Sequence, residues 1–123
     1  MKKEVLIFGA NGALGKGITK SFQSKDYDKI HLFDFNISSV MHSSERISLI
    51  DIEDLSVEEN CIKAFDKIKP GKEKLFFIYS TVGGFAGGKN RWEVDEDEWN
   101  KMINMNLKSS FFIYLFTFIK NII

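Results

Sequence analysis

The sequence predicts an α/β fold, a three-layer arrangement in which helices flank a parallel sheet of about four strands in the order 3-2-1-4. Three observations predict it. Four apolar runs rich in β-forming residues alternate with segments of helical periodicity, and the first run leads directly into a glycine-rich turn. The 123 residues suffice for one domain spanning 1–123, and 44% hydrophobic with 28% charged residues is typical of a folded chain.

The first half of the chain supplies two strands and one helix. Val5 to Phe8 is a continuous apolar run, which predicts a strand buried on both faces. A helix is expected from Leu14 to about Ser24, with Leu14, Ile18 and Phe22 on its apolar face. The run KIHLFDF predicts a second strand that ends near Asp34, and the polar stretch from Asn36 to Glu45 predicts a loop.

The next segment repeats the alternation. RISLIDI predicts a third strand, and KLFFIYSTV predicts a fourth, buried strand. Between them lies DLSVEENCIKAFDKIK, which predicts a helix that ends at Pro70-Gly71. Its apolar positions at near-helical spacing are Leu55, Cys61, Ala64, Phe65 and Ile68.

The last segment predicts a loop and then a long helix. After the four glycines of GGFAGGKN, Asp95 is a candidate N-cap with Glu98 three residues later, and Trp99 should begin the apolar face. The helix should run from Glu96 to Ile122. The apolar tail from Phe111 to Ile123 is too short to span a membrane and contains Lys120, so we expect a buried helix and no membrane contact.

Charge and cysteine content exclude several classes of function. Seventeen basic residues balance seventeen acidic ones without a dense basic cluster, so no nucleic-acid partner is expected. The lone Cys61 excludes an internal disulfide and predicts a half-buried, inert thiol in a reducing compartment. The early first strand leaves no room for a secretory signal, which predicts a cytoplasmic protein, and no group of residues predicts a metal site.

The glycine-rich turn predicts a dinucleotide-binding site of the Rossmann type. Gly9, Gly12 and Gly15 follow the first strand, where bare backbone admits a pyrophosphate and the helix N-terminus offers free N–H groups. Gly17 lies inside the helix, where close packing on a strand would explain it equally well. The turn residues expected to contact the cofactor are Gly9, Asn11, Gly12, Ala13, Leu14 and Gly15. A turn that binds nothing remains the alternative.

Asp34 is the candidate that selects the cofactor. It ends the second strand about 20 residues after the glycine turn, where a carboxylate accepts the hydroxyls of an adenosine ribose and repels a 2′-phosphate. Phe35 follows it, so no adjacent basic residue is offered to that phosphate; NADH is therefore favoured over NADPH, although Lys16 is a weak counter-indication. An ordinary residue at a strand end is the alternative interpretation of Asp34.

These residues resemble the short-chain dehydrogenase/reductase family. Phe8 to Gly15 matches its TGxxxGxG pattern, with Phe8 in place of the threonine and Ala13 in place of the middle glycine. GANGALG and STVGGFAGG are most similar to the NADH-using branch of quinonoid dihydropteridine reductases, whose second crossover is shortened. The resemblance covers nearly all of this chain and about the first half of a family member.

The resemblance assigns further roles, position by position. It implies that Asp51 and Ile52 lie against the adenine ring and that Asn106 supports a proton-relay water. Ser80 to Gly83 matches the family's NNAG motif without its asparagines. The implied cofactor contacts there are Val82, Gly83 and Gly84.

The family's catalytic pair, a Tyr-x-x-x-Lys, has no counterpart here. Tyr27, Tyr79 and Tyr114 are followed four residues later by a histidine, a glycine and a phenylalanine. We therefore expect the cofactor-binding half of a reductase acting on a small carbonyl or imine, such as a pteridine, truncated after its fourth helix and inactive alone. The exposed fourth strand or the helix 96–122 should then promote self-association. A non-catalytic dinucleotide-binding or interaction module, and an extended-type epimerase or NADP sensor, remain alternatives.

Overall fold

A computed structural model describes residues 1–85 and 87–120 and contains one parallel sheet of four strands. The strands are β1 (Lys2–Phe8), β2 (Lys29–Asp34), β3 (Ile47–Asp51) and β4 (Lys74–Ser80). Their order is β3-β2-β1-β4, which confirms the predicted fold class. β1 begins three residues before the apolar run because Lys2 and Lys3 pair with the start of β4, so strand pairing extends the strand beyond its buried part.

Within these ranges five α-helices accompany the sheet, and one of them corrects a prediction. They are α1 (Ala13–Gln23), α2 (Ile37–Val40), α3 (Glu58–Phe65), α4 (Glu96–Ile103) and α5 (Ser109–Ile119). The short α2 lies in the stretch that was expected to be a loop. It follows Asn36 in the left-handed conformation, it buries Ile37, and the N–H and hydroxyl of Ser38 donate to the carboxylate of Asp51. These contacts come from β3, and the local sequence does not display them.

The sheet separates two apolar layers. Leu6, Phe8 and Phe33 face α3 and α5, where Phe65 and Phe116 complete that layer. On the other face, Val5, Ile7, Ile30 and Leu32 pack with Phe22 of α1 and Ile37 of α2. Alternate residues of β1 thus enter opposite layers, as expected of a strand covered on both faces.

The face that α1 turns to the sheet agrees with the prediction at Phe22 and at the partly buried Ile18, and differs from it at Leu14. Gly15, Thr19 and Phe22 are buried, whereas Leu14 is 68% exposed. Gly15 lies against the backbone of the glycine turn, and this contact sets the rotation of the helix. Gly17 faces open space, since a Cβ added there would meet no atom within 4 Å, so close packing does not explain this glycine.

Helices α4 and α5 form one continuous helix, Glu96–Ile119, through a π-helical turn at Asn104–Lys108. Asp95 caps it as predicted, since its Oδ1 accepts the N–H of Glu98 at 2.8 Å. Trp99, predicted to begin the apolar face, is 63% exposed, and the residues of α4 that line the neighbouring cavity are the polar Asp97, Asn100 and Lys101. The predicted residues 121 and 122 lie outside the described residues.

This helix is long and apolar enough, by length and composition, to cross a membrane. That criterion is weak evidence, because core helices of soluble proteins satisfy it as well. The first turn carries Glu96, Asp97 and Glu98, while Ile113 and Phe116 are buried against α3 and the sheet. Residues 111–119 of the apolar tail thus belong to a longer helix that packs, on one face, into the core.

Candidate functional site

The glycine turn connects the carboxyl end of β1 to α1. Gly9 has a φ of 81°, a left-handed conformation that favours glycine, and a Cβ there would lie 2.5 Å from Thr81 Oγ1. The N–H groups of Gly9 and Ala10 both donate to the Phe33 carbonyl, at 2.9 and 3.2 Å. The turn is therefore fixed to β2 on one side and to the end of β4 on the other.

Gly12 and Gly15 differ in the space that is left around them. A Cβ on Gly15 would lie 1.9 Å from the Gly9 carbonyl oxygen and 2.8 Å from Ala10 Cα, so the fold itself demands glycine there. A Cβ on Gly12 would meet one atom only, the Gly9 oxygen at 3.4 Å, which is an ordinary contact. Packing therefore does not require glycine at position 12, and bare backbone there leaves space beside the turn.

The N-terminus of α1 faces this space with its polar groups uncommitted. Gly12 is the N-cap and has no side chain to bond the first turn, which contains no acidic residue. Among the described residues, no hydrogen bond involves the N–H groups of Ala13, Leu14 or Gly15. Free N–H groups and the positive end of the helix dipole together form an anion-binding site.

Asp34 lies beside the turn at the end of β2. Its Oδ2 accepts the N–H of Asn11 at 2.8 Å and its Oδ1 accepts the N–H of Phe35 at 2.8 Å. Each carboxylate oxygen retains a lone pair for a further donor. The two bonds hold the carboxylate next to the phosphate-binding turn, where a ribose hydroxyl could donate to it.

A cleft of about 710 Å³ opens from the turn and reaches the α4–α5 helix. This volume lies in the usual range for small-molecule sites, about 300–1,000 Å³. Six of the sequence-predicted residues line it: Gly9, Gly12, Asp34, Ile52, Val82 and Gly83. The carboxyl ends of β1, β2, β3 and β4 thus converge on one cavity, as expected of ligand sites in parallel sheets.

The other predicted residues lie at the border of the cleft or outside it. Asn11 and Gly84 lie in the loops that follow β1 and β4, and Ala13, Leu14 and Gly15 form the first turn of α1; none of the five is part of the cavity wall. Asp51 turns away from the cavity towards α2, and the hydrogen bonds from Ser38 hold the pKa of its carboxyl below the usual value. In this conformation Ile52 lines the cavity and the Asp51 carboxylate stabilises α2.

Asn106 fixes the loop that follows β4. Its Oδ1 accepts the N–H of Gly84, and its Nδ2 donates to the Gly84 carbonyl, both at 3.0 Å. Nδ2 also donates at 3.0 Å to the carbonyl of Met102, one turn earlier in the helix. These three hydrogen bonds hold the amide in place, and its observed role is to tie the glycine loop to the π-helical turn.

Ten residues that line the cleft were not among the sequence predictions. Four follow strands: Phe35, Asp54, Leu55 and Thr81. The other six lie on the α4–α5 helix: Asp97, Asn100, Lys101, Asn104, Met105 and Ser109. Their spacing of three or four residues could have identified this helix face, but only the fold shows that the face is turned towards the turn. Within the described residues, no group of three potential metal ligands is present.

Comparison with known proteins shows which chains this one is similar to in sequence and in fold. A dihydropteridine reductase from Dictyostelium discoideum is 32% identical over 115 residues, which cover 90% of this chain and 45% of the relative. No protein-family model matches the chain. Solved structures of similar fold include an ElxO variant with NADPH bound, at a TM-score of 0.79 and 24% identity, covering 95% of this chain and 49% of that one.

Two further structures show the same fold. A short chain dehydrogenase family protein from Francisella tularensis has a TM-score of 0.77 at 18% identity, over 95% of this chain and 46% of that one. A short chain dehydrogenase from Leptospira borgpetersenii with bound NAD+ has a TM-score of 0.75 at 22% identity, over 96% and 45% of the two chains. The chain spans about half the length of the proteins that it matches.

Proposed function

The chain corresponds in sequence and fold to the N-terminal half of a short-chain dehydrogenase/reductase, and from this premise we propose that its cleft binds NAD(H). One observation carries the proposal: Gly12 has no packing reason to be glycine, and it borders both the cleft and the unbonded N-terminus of α1. A pyrophosphate needs bare backbone and free N–H groups together.

The adenosine half of the dinucleotide fits the other end of the cleft. Asp34 is positioned to accept ribose hydroxyls, and the exposed ring of Phe35 together with buried Ile52 offers apolar surface to an adenine. The negative charge of Asp34 disfavours a 2′-phosphate at the same position, since like charges brought together in a site are repelled. We therefore propose NADH rather than NADPH as the preferred cofactor.

Titration of NADH fluorescence tests binding directly. Gly12→Ala should weaken NADH binding about tenfold or more, because the added methyl group would displace the pyrophosphate. A tenfold loss of affinity corresponds to about 1.4 kcal/mol of binding free energy. Gly17→Ala is the matched control, because it adds the same methyl group to open space in the same helix. Equal NADH affinity of the two variants, or no binding by the unmodified polypeptide, would contradict the proposal.

The cofactor preference has its own test. Asp34→Asn removes the charge and keeps an oxygen that can accept the N–H of Asn11. The ratio of NADPH to NADH affinity should rise about tenfold, as removal of a like-charge contact predicts. An unchanged ratio would show that Asp34 does not discriminate between the two cofactors.

Hydride transfer is the reaction that we propose for the whole protein, from NADH to a small carbonyl or imine, with a pteridine as the finer candidate. The pteridine is supported by the identity with the Dictyostelium reductase. These 123 residues contain no Tyr-x-x-x-Lys to donate a proton. The 123-residue polypeptide should therefore bind NADH without oxidising it, and steady-state oxidation of NADH by this polypeptide alone would refute that expectation.

Self-association and a cytoplasmic location complete the proposal. Within the described residues β4 pairs with β1 alone, and Leu107, Phe111 and Tyr114 on the α4–α5 helix are more than half exposed. An unpaired strand edge and an apolar helix face favour association with further protein. Sedimentation velocity should show a species heavier than 14.2 kDa, and a strictly monomeric boundary at all concentrations would refute self-association.

The lone, buried Cys61 is compatible with a reducing compartment, which supports the proposed cytoplasmic location.

A further inference from the structure

A second polar cluster lies at the opposite end of the sheet from the dinucleotide cleft. Glu4, His31 and Ser48 stand side by side near the amino ends of β1, β2 and β3. His31 Nε2 is 3.2 Å from Glu4 Oε1, and His31 Nδ1 is 2.6 Å from Ser48 Oγ. Glu4 is 5% exposed and His31 6% exposed, so both are buried polar groups and need an explanation.

The hydrogen bonds define which atom carries each proton. A carboxylate can only accept, so Nε2 of His31 carries a proton and donates it to Glu4. Burial lowers the pKa of His31, which keeps the ring neutral near pH 7 and leaves Nδ1 to accept the Ser48 hydroxyl proton. Glu4 Oε2 has no directed hydrogen bond, but Lys74 Nζ lies 3.0 Å away and balances its charge.

This cluster forms the floor of a pocket with a positive rim. The pocket has a volume of about 320 Å³ and is lined by Glu4, His31, Ser48, Ile50 and the four lysines Lys29, Lys67, Lys69 and Lys74. With His31 neutral, the lining residues carry four positive charges and one negative charge, a net charge of +3. Within the described residues only Lys74 of these lysines has a carboxylate within 4.0 Å. Such an excess of positive charge attracts a multivalent anion.

We propose that this pocket binds a small phosphate-bearing molecule, with Lys29, Lys67 and Lys69 around the phosphate and Ser48 donating a hydrogen bond to it. A phosphate monoester fits better than a monocarboxylate, because its double negative charge matches the uncompensated lysines. The cavity also exceeds the volume of one phosphate ion, which leaves room for an organic substituent. The site is independent of the proposed dinucleotide cleft, which lies at the carboxyl ends of the strands.

Anion binding should couple to a proton on His31. If the ring becomes protonated, Nδ1–H donates to Ser48 Oγ, and the hydroxyl proton of Ser48 is then free to donate to the phosphate. Glu4 stabilises the cationic ring, whereas Lys29 and Lys74 oppose it until an anion compensates them. Phosphate should therefore raise the pKa of His31.

Nuclear magnetic resonance of the two histidine rings tests the proposal with inorganic phosphate as the probe, at constant ionic strength. His31 should show saturable shifts and a raised pKa, while exposed His42, the other histidine, should not. The variant Lys67→Gln with Lys69→Gln should weaken the response about tenfold. Lys20→Gln with Lys72→Gln is the matched control, since it removes the same charge from exposed positions outside the pocket.

Three results would overturn the proposal: no saturable shift at His31, equal weakening by both double variants, or a normal response in Ser48→Ala. Urea unfolding of each variant checks that the fold is intact. Phosphate bound at the glycine turn would shift the Gly12 amide instead of the His31 ring. Because the effect of Gly12→Ala on NADH affinity reports on the turn and the His31 ring reports on the pocket, failure of either site would be recognised separately from failure of the other.

Discussion

Gly15 and Gly17 lie about half a turn apart in α1, and replacing each by alanine should change the free energy of unfolding in opposite directions. Gly15→Ala places a Cβ 1.9 Å from the Gly9 carbonyl oxygen, which is 1.5 Å inside the 3.4 Å lower limit of ordinary contact. The obstructing atoms are backbone, so they cannot rotate away, and the helix must move outward. Gly17→Ala meets no atom within 4 Å and only gains helix propensity.

The expected magnitudes differ in sign. Overpacking of this kind costs about 1–3 kcal/mol, which should lower the stability of Gly15→Ala even after its gain in helix propensity. Gly17→Ala should raise the free energy of unfolding by about 0.5–1 kcal/mol. Urea unfolding monitored by circular dichroism measures the free energy of unfolding of both variants. The slope of this free energy against urea concentration should be unchanged if only stability differs. A Gly15→Ala protein as stable as Gly17→Ala would refute the packing argument for the turn.

Three further predictions concern the remaining contacts. Asn106→Asp should lower the free energy of unfolding by about 1–2 kcal/mol at pH 7, because a carboxylate would face the Gly84 and Met102 carbonyls. Part of this stability should return below about pH 4, where the protonated carboxyl can donate a hydrogen bond. Asn100→Asp is the control, and a loss in Asn106→Asp that does not depend on pH would contradict the prediction. Burial raises the pKa of Cys61 to about 12, so a thiol reagent at pH 8 should label it only on unfolding, and fast labelling of the native protein would disagree. Since the hydroxyl and N–H of Ser38 lower the pKa of Asp51, their bonds stabilise the fold above the ordinary carboxyl pKa and are lost as pH falls through the lowered value. Ser38→Ala removes the hydroxyl and keeps the N–H, so its acid unfolding should lose the larger part of this pH dependence, and acid curves identical to those of the unmodified protein would exclude it.

The sheet and the phosphate turn could be predicted because their determinants are local. Apolar runs mark strands that are buried on both faces, and Gly9 is needed where the chain reverses at positive φ. Asp34 was predicted from its position at a strand end, and it does border the cleft. The fold class and the lining residues Gly9, Gly12 and Asp34 therefore follow from the residue pattern, whereas Ile52, Val82 and Gly83 were expected from the family resemblance.

The rotation of helices could not be predicted in the same way. Apolar spacing placed Leu14 and Trp99 on inward faces, yet both are exposed. Gly15 determines the rotation of α1 by packing on the turn, and glycine contributes nothing to an apolar pattern. The π-helical turn shifts the register of α5 relative to α4, which no periodicity in the sequence shows.

The sequence by itself determined the alternation of strands and helices, the turn at Gly9 to Gly15 and the acidic residue that ends β2, because each depends on neighbours in the chain. Only the tertiary structure decided that the helix face from Asp97 to Ser109 closes the cleft and that Asp51 turns to Ser38. It also brought Glu4, His31 and Ser48 together, residues that lie up to 44 positions apart. Their hydrogen bonds cross three strands, so their partners are set by strand order and register, which exist only in the folded sheet.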